Sequence, residues 1–236
     1  MQILKALSAL LTYPQQPLID ALPELVEVVD GDPVLPRETR LSVLELIAEL
    51  ESTDLFELQE HYVALFDRGR QLSLHLFEHV HGESRARGQA MVELMEIYRR
   101  HGFQLDAREL PDYVPLFLEF LGNAWNAETR QLLSDAMPVL SLLGARLAER
   151  SSSYSAIFDA LEAIGGSPAE RDAIRDQART EGPDETVVNM DKIWEEEAVT
   201  FMGNPSTCGV QTSGNGNAQP VQWVKNRTTR DPGNNR

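Results

Sequence analysis

Residues 1–17 read MQILKALSALLTYPQQP, and the fold follows from how that run is taken. An export leader needs an unbroken apolar stretch and a small-x-small cleavage site, whereas Lys5 and Ser8 interrupt this one and no convincing site follows. Ile3, Leu4, Leu7, Leu10 and Leu11 instead fall on one face at helical spacing. The spacing predicts a first amphipathic helix, ended by Tyr13-Pro14 because the residue before a proline is pushed out of the helical region.

Outward from that helix, apolar residues recur at three- and four-residue steps in 38–50, 55–66, 91–98, 113–121, 139–147 and 154–164. No stretch alternates with a period of two, so the fold class is all-α. Start signals agree: Asp54 with Glu57 as a capping-box-like pair, Asn126 before Ala127-Glu128, and Ser167-Pro168-Ala169-Glu170 as N-cap, first-turn proline and first-turn acid. Stops fall at Gly31-Asp32-Pro33, Gly102, Gly165-Gly166 and Gly182-Pro183. Pro111 and Pro115 bracket a further helix start, and only one of them can hold the tolerated first position.

The chain has 236 residues, 42% of them hydrophobic, enough for a single compact multi-helix domain, placed at 1–203. Residues 204–236 are rich in Gly, Asn and Ser with few apolar side chains, so they read as a disordered tail. That tail carries Lys225, Arg227, Arg230 and Arg236 against Asp231, so the net charge of −16 leaves residues 1–203 at −19. A body that acidic repels nucleic acid and anionic lipid and attracts basic segments. The lone cysteine, Cys208, excludes an internal disulfide and a cysteine metal cage. No apolar run is long enough to cross a bilayer, so the chain reads as soluble and cytoplasmic, without membrane insertion.

Three constellations could carry chemistry. The stretch 75–88, HLFEHVHGESRARG, opens with His75-x-x-Glu78-His79. On a helix the two imidazoles would share a face one turn apart, with Glu78 as base for a metal-bound water: a zinc-dependent hydrolase. Gly82 closes that helix only three residues past His79, and a third ligand is not identifiable. Arg68 and Arg70, with Arg85 and Arg87, form a cationic island that could grip an anion. The interleaved Asp67, Glu78, Glu83 and Glu93 favour ion pairing between helices instead. Tyr62, Phe66, Phe77, Tyr113, Phe117 and Phe120 lie on helical stripes beside these charges, where a groove could hold an amphipathic helix, although each alone is ordinarily core.

The run 62–91, YVALFDRGRQLSLHLFEHVHGESRARGQAM, with RELPDYVPLFLEFL at 108–121 and WEEE at 194–197, closely resembles the NarJ family of assembly chaperones for membrane-bound respiratory nitrate reductase. That family lies within the TorD/DmsD group of redox-enzyme maturation chaperones, and the resemblance covers roughly residues 1–202. It implies an all-helical, TorD-like chaperone, not an enzyme, that takes no cofactor or metal of its own. Its implied partner is the unassembled catalytic (alpha) subunit, including its N-terminal peptide, kept competent for molybdenum cofactor insertion, with cofactor-biosynthesis proteins as further candidate partners. The wider group carries E-P-x-D-H before a helix, matched here by Glu109, Asp112 and, in the His position, Tyr113. Leu110 stands where the group has proline, which is displaced to Pro111, so no His-dependent role or nucleotide affinity is carried over. The position of His75 is commonly apolar in the family, which makes the H-x-x-E-H spelling an accident.

The expected client-binding set is then an aromatic groove of Tyr62, Phe66, Phe77, Tyr113 and Phe117. Its polar edge comprises Arg68, Arg70, Glu78, His79, His81, Glu83, Arg87, Glu109 and Asp112. His79 and His81 point in different directions on a helix, so at most one faces a client, where its titration would alter binding over roughly pH 5.5–7.5. Ile193, Trp194, Val199 and Phe201 repeat the helical spacing ahead of the tail. A chain ending at Met202 is therefore expected to fold and bind its client, and one ending at Asn189 to lose both, as melting curves and pull-down of the catalytic subunit would show.

Overall fold

The first helix does what its spacing demands. In the computed structural model, which describes residues 1–82, 84–105 and 109–184, α1 (Gln2–Leu10) buries Ile3, Leu4, Leu7 and Leu10 completely. It packs on α7 (Val114–Asn123), whose Val114, Leu118 and Leu121 are equally inaccessible. Around this pair run α2 (Gln16–Asp30), α3 (Arg37–Ser52), α4 (Leu55–Phe66), α5 (Leu76–His81), α6 (Arg85–Arg100), α8 (Ala127–Glu149), α9 (Ser155–Gly165) and α10 (Arg171–Thr180). The all-α expectation holds: among the described residues the one β-type pairing is an isolated bridge between His75 and Tyr113. All described residues fall in one compact unit, Met1–Trp194. The segment 190–203 and the expected tail 204–236 lie outside the described residues.

Local signals succeed where a side chain has no better partner. Asn126 accepts the N–H groups of Glu128 and Thr129 at 2.8 and 3.2 Å, and the Thr129 hydroxyl accepts the Asn126 N–H at 2.8 Å, a complete capping box opening α8. Asp54 caps α4 by accepting the Phe56 N–H at 2.9 Å, but the expected reciprocal bond from Glu57 is absent; Glu57 lies 4.0 Å from His61 one turn on. Ser167 does not cap α10. A turn closed by Arg171 N–H onto the Pro168 carbonyl at 3.2 Å intervenes, and the helix starts at Arg171. Of the two prolines, Pro115 sits in the first turn of α7, where its missing N–H costs nothing, and Pro111 stays outside with its carbonyl accepting the Tyr98 hydroxyl at 2.8 Å.

The core is thickest where α8 lies on α9, and Gly144 makes that contact possible. A Cβ at this position would come 2.6 Å from Cβ of Phe158, a fully packed α9 side chain. Gly144→Ala should therefore destabilise the fold by about 1–2 kcal/mol, because overpacking outweighs the gain in helix propensity. A melting temperature lowered by about 2–8 °C is the expected reading.

Candidate functional site

The site is assembled by two short strand-like segments meeting edge to edge. Leu76 N–H donates to the Asp112 carbonyl at 3.0 Å and Val114 N–H to the Leu74 carbonyl at 2.8 Å, flanking the His75–Tyr113 bridge. Beneath it the Asp112 carboxylate is 0% exposed. It accepts the Phe77 N–H at 3.1 Å and the His75 Nδ1–H at 3.3 Å, with the Arg87 guanidinium 3.8 Å away. Arg87 also reaches Glu78 at 3.1 Å. Burial opposes ionisation of Asp112, but the bonds from His75 and Phe77 and the nearby positive charge outweigh it, holding the carboxyl below the usual carboxylate range. Since Phe77 is the second residue of α5, the Asp112 carboxylate supplies from a different part of the chain the side-chain cap that the N-cap residue of this six-residue helix does not give.

Above this anchor opens a cavity of about 610 Å³ lined by Tyr13, Tyr62, Phe66, Asp67, Arg68, Arg70, His75, Glu78, Glu109 and Tyr113, among others. Its aromatic wall is braced from behind. The Tyr62 hydroxyl donates to the Leu11 carbonyl at 2.9 Å and lies 3.3 Å from the Tyr113 hydroxyl, and burial pushes the Tyr62 phenol well up. Tyr13 meets Tyr62 edge-on at 5.5 Å, and Phe66 meets Tyr154 edge-on at 5.2 Å. A shallower cleft of about 430 Å³ shares Tyr13, Glu109 and Tyr113 with it and adds Glu119.

Seven of the fourteen expected residues line the main cavity: Tyr62, Phe66, Arg68, Arg70, Glu78, Glu109 and Tyr113. Asp112 and Arg87 support it from below. Phe77 and Phe117 border a separate apolar cleft against α6 and α8, and the His81 ring packs on Phe77 at 5.8 Å. Glu83 lies outside the described residues.

His79 is turned inward. Its Nε2–H donates to the Ser73 carbonyl at 2.8 Å, leaving Nδ1 to face the Arg146 guanidinium at 3.4 Å. Burial, assisted by Arg146, lowers its pKa and keeps the imidazole neutral. The helical His75/His79 pair does not form, since His75 is the extended N-cap residue of α5 and its ring bonds Asp112. The geometry required for the zinc hydrolase is therefore missing.

Arg146 is the residue bracing the candidate site that spacing could not reveal. Only 9% exposed, it makes a two-pronged pair with Glu181 at 2.6 and 2.7 Å and donates to the Gln71 carbonyl at 2.7 Å. Asp184 accepts the Gln71 N–H at 2.8 Å, and Arg150 holds the Gln71 side chain at 2.7 Å. The loop bearing Arg68 and Arg70 is thus pinned at its far end. A charge inside the apolar stripe 139–147 was the only sequence signal, and it did not name its partner 35 residues on.

Residues 32–160 match the family described as nitrate reductase delta subunit, and the chain belongs to that family. Among its relatives is the nitrate reductase molybdenum cofactor assembly chaperone NarJ of Escherichia coli (strain K12), 42% identical over 202 residues, 86% of this chain and 85% of that one. NarW of the same strain is 40% identical over 208 residues, 88% and 87% of the two chains. NarJ of Bacillus subtilis (strain 168) is 32% identical over 164 residues, 68% and 88%.

A pH dependence of stability follows from His79. Its folded pKa lies below the unfolded value of about 6.5, so the unfolded chain binds the proton more readily. The contribution is complete above that value and is lost as pH falls through it toward the folded pKa. His79→Gln, which keeps a donor for the Ser73 carbonyl, should flatten the decline in melting temperature between pH 7 and pH 5, roughly the titration window of an imidazole.

Proposed function

We propose that this chain is the assembly chaperone of a respiratory nitrate reductase. It binds the unassembled catalytic subunit, including its N-terminal segment, in the cytoplasm and keeps it competent for molybdenum cofactor insertion without joining the finished enzyme. The observation that carries this reading is the 42% identity to NarJ across 86% of the chain. The site's chemistry supports it: an open cavity with an aromatic wall and a mixed-charge rim suits reversible capture of a peptide, and nothing in it needs a nucleophile or a base. Among the described residues no helix is long and apolar enough to cross a membrane.

The strongly acidic body would steer a basic client segment, and Glu109, exposed where the two clefts meet, is the carboxylate best placed to receive it. Glu109→Lys should weaken binding of the client's N-terminal peptide about tenfold, roughly 1.4 kcal/mol, with an unchanged melting curve. It should also lower nitrate reductase activity in cells where it replaces the parent protein. Added salt should slow association more than it speeds dissociation in stopped-flow traces. Unaltered peptide affinity together with a salt-independent association rate would remove this cavity from the mechanism.

A further inference from the structure

Helix α10 covers α8 and α9 with a mostly polar surface. It buries one side chain, Ala178, and leaves Ile174 half-buried, standing over a cavity of about 290 Å³ that shares no lining residue with the main one. Small side chains such as Gly144 and Ala145 form the α8 wall, and Phe158 of α9, 2% exposed, adds an apolar face. Ser141, 9% exposed, also lines the cavity. A serine inside a helix ordinarily spends its hydroxyl on the carbonyl one turn earlier, but Ser141 Oγ has no hydrogen-bond partner among the described residues. A hydroxyl so placed costs stability unless a partner reaches it from the cavity side.

The charged rim is answered unevenly. Arg171 meets Glu162 at 2.6 Å, and Arg179 meets Asp176 at 3.4 Å and Glu149 at 3.9 Å. Asp159 and Arg175, both solvent-accessible on the same rim, form no ion pair with each other or with any other described residue. They are nonetheless neighbours. The protein crowded around Asp159, and then Glu162, raise its pKa, while Arg175 and Arg171 pull it down. A cation and an anion that stand close without touching match a molecule that carries both charges a few bonds apart.

We infer that this cavity binds a small zwitterion of the α-amino-acid class, with its ammonium on Asp159, its carboxylate on Arg175 and the Ser141 hydroxyl, and its side chain against Phe158. Such a ligand has no part in the proposed function, whose client is a polypeptide held in the main cavity. The volume lies at the lower end of the range for ligand pockets, which suits a molecule of that size. Three carboxylates and three guanidinium groups line the cavity, so a molecule without net charge leaves neither sign in excess, whereas a nucleotide or a basic segment would. By bridging Asp159 of α9 to Arg175 of α10, the ligand fastens α10 to the bundle. The C-cap residue of that helix is Glu181, the partner of Arg146, so occupancy is transmitted to the clamp on Gln71.

The test uses the full chain. Among the common L-amino acids, each at about 10 mM, roughly ten times a millimolar Kd, at least one should raise the melting temperature by about 2–5 °C and slow amide hydrogen exchange across residues 171–180. In calorimetric titration its decarboxylated and its deaminated analogues should each bind about tenfold more weakly or worse. Asp159→Asn should weaken the amino acid about tenfold but leave the deaminated analogue, which has no ammonium to lose, within about twofold. Arg175→Gln should do the same with the decarboxylated analogue. Both residues are accessible, so these changes keep the test decisive whatever happens in the core. Ser141→Ala should weaken binding while leaving the unliganded melting temperature unchanged or raised, the opposite of what loss of a structural hydrogen bond does. Glu109→Lys, in the main cavity, should leave binding within about twofold. Binding of none of the amino acids, analogues as tight as the parent compound, or equal loss with Glu109→Lys would each overturn the assignment. None of these readouts involves nitrate reductase or a peptide from it, so failure here is distinct from failure of the chaperone reading.

Discussion

A single buried carboxylate organises the candidate site of this molecule. Asp112 has no access to water, and an ion so placed persists only if its charge and its lone pairs are answered locally. His75, the Phe77 amide and Arg87 answer them, the first two from the segment across the bridge and the third from the first turn of α6. Meeting the carboxylate's needs therefore orients α5, presses residues 74–76 onto 112–114 and places Glu78 where Arg87 can reach it. Remove the charge and a six-residue helix, far below the length that is stable alone, loses its only side-chain cap.

The second clamp works at the other end of the same loop. Arg146 is buried among the apolar residues of α8, yet its guanidinium is answered by Glu181 and the Gln71 carbonyl. Glu181 stays ionised because the Arg146 hydrogen bonds lower its pKa more than burial raises it. Between Asp112 and Arg146, the residues from Gln71 to Phe77 are held by polar bonds at both ends as well as by the buried Leu72, Leu74 and Leu76. The chain can thus run along the cavity edge and expose Arg68 and Arg70 without collapsing into it.

What could be read from the sequence was whatever depends on near neighbours. The stripe of α1 and the cap at Asn126 are set within a few residues, and both stand as expected. The helical placement of His75 failed for the opposite reason: a backbone pairing with Tyr113, far along the chain, draws that residue into an extended conformation. Ser167 failed because a turn at Pro168 consumed the positions it would have capped. Likewise the polar edge, written as one contiguous set, separates in space. A six-residue helix sends Glu78, His79 and Phe77 to three different environments: cavity, interior and second cleft.

That division bears on how such a cavity can bind without locking. Tyr62 already spends its hydroxyl on the Leu11 carbonyl, and its ring is fixed by Tyr13, Phe66 and Tyr154. A partner side chain arriving there meets a surface that needs no further ordering, so little entropy is lost by the protein on contact. The rim is different: Arg68, Glu109 and Asp67 are exposed, and their attractions are weakened by water and salt. In the proposed function, a rigid aromatic wall would supply the hold, while a screened, mixed-charge rim would set the approach and the orientation. A partner held mainly by such a wall, with the charges acting on its approach, would have its affinity set largely by its rate of dissociation.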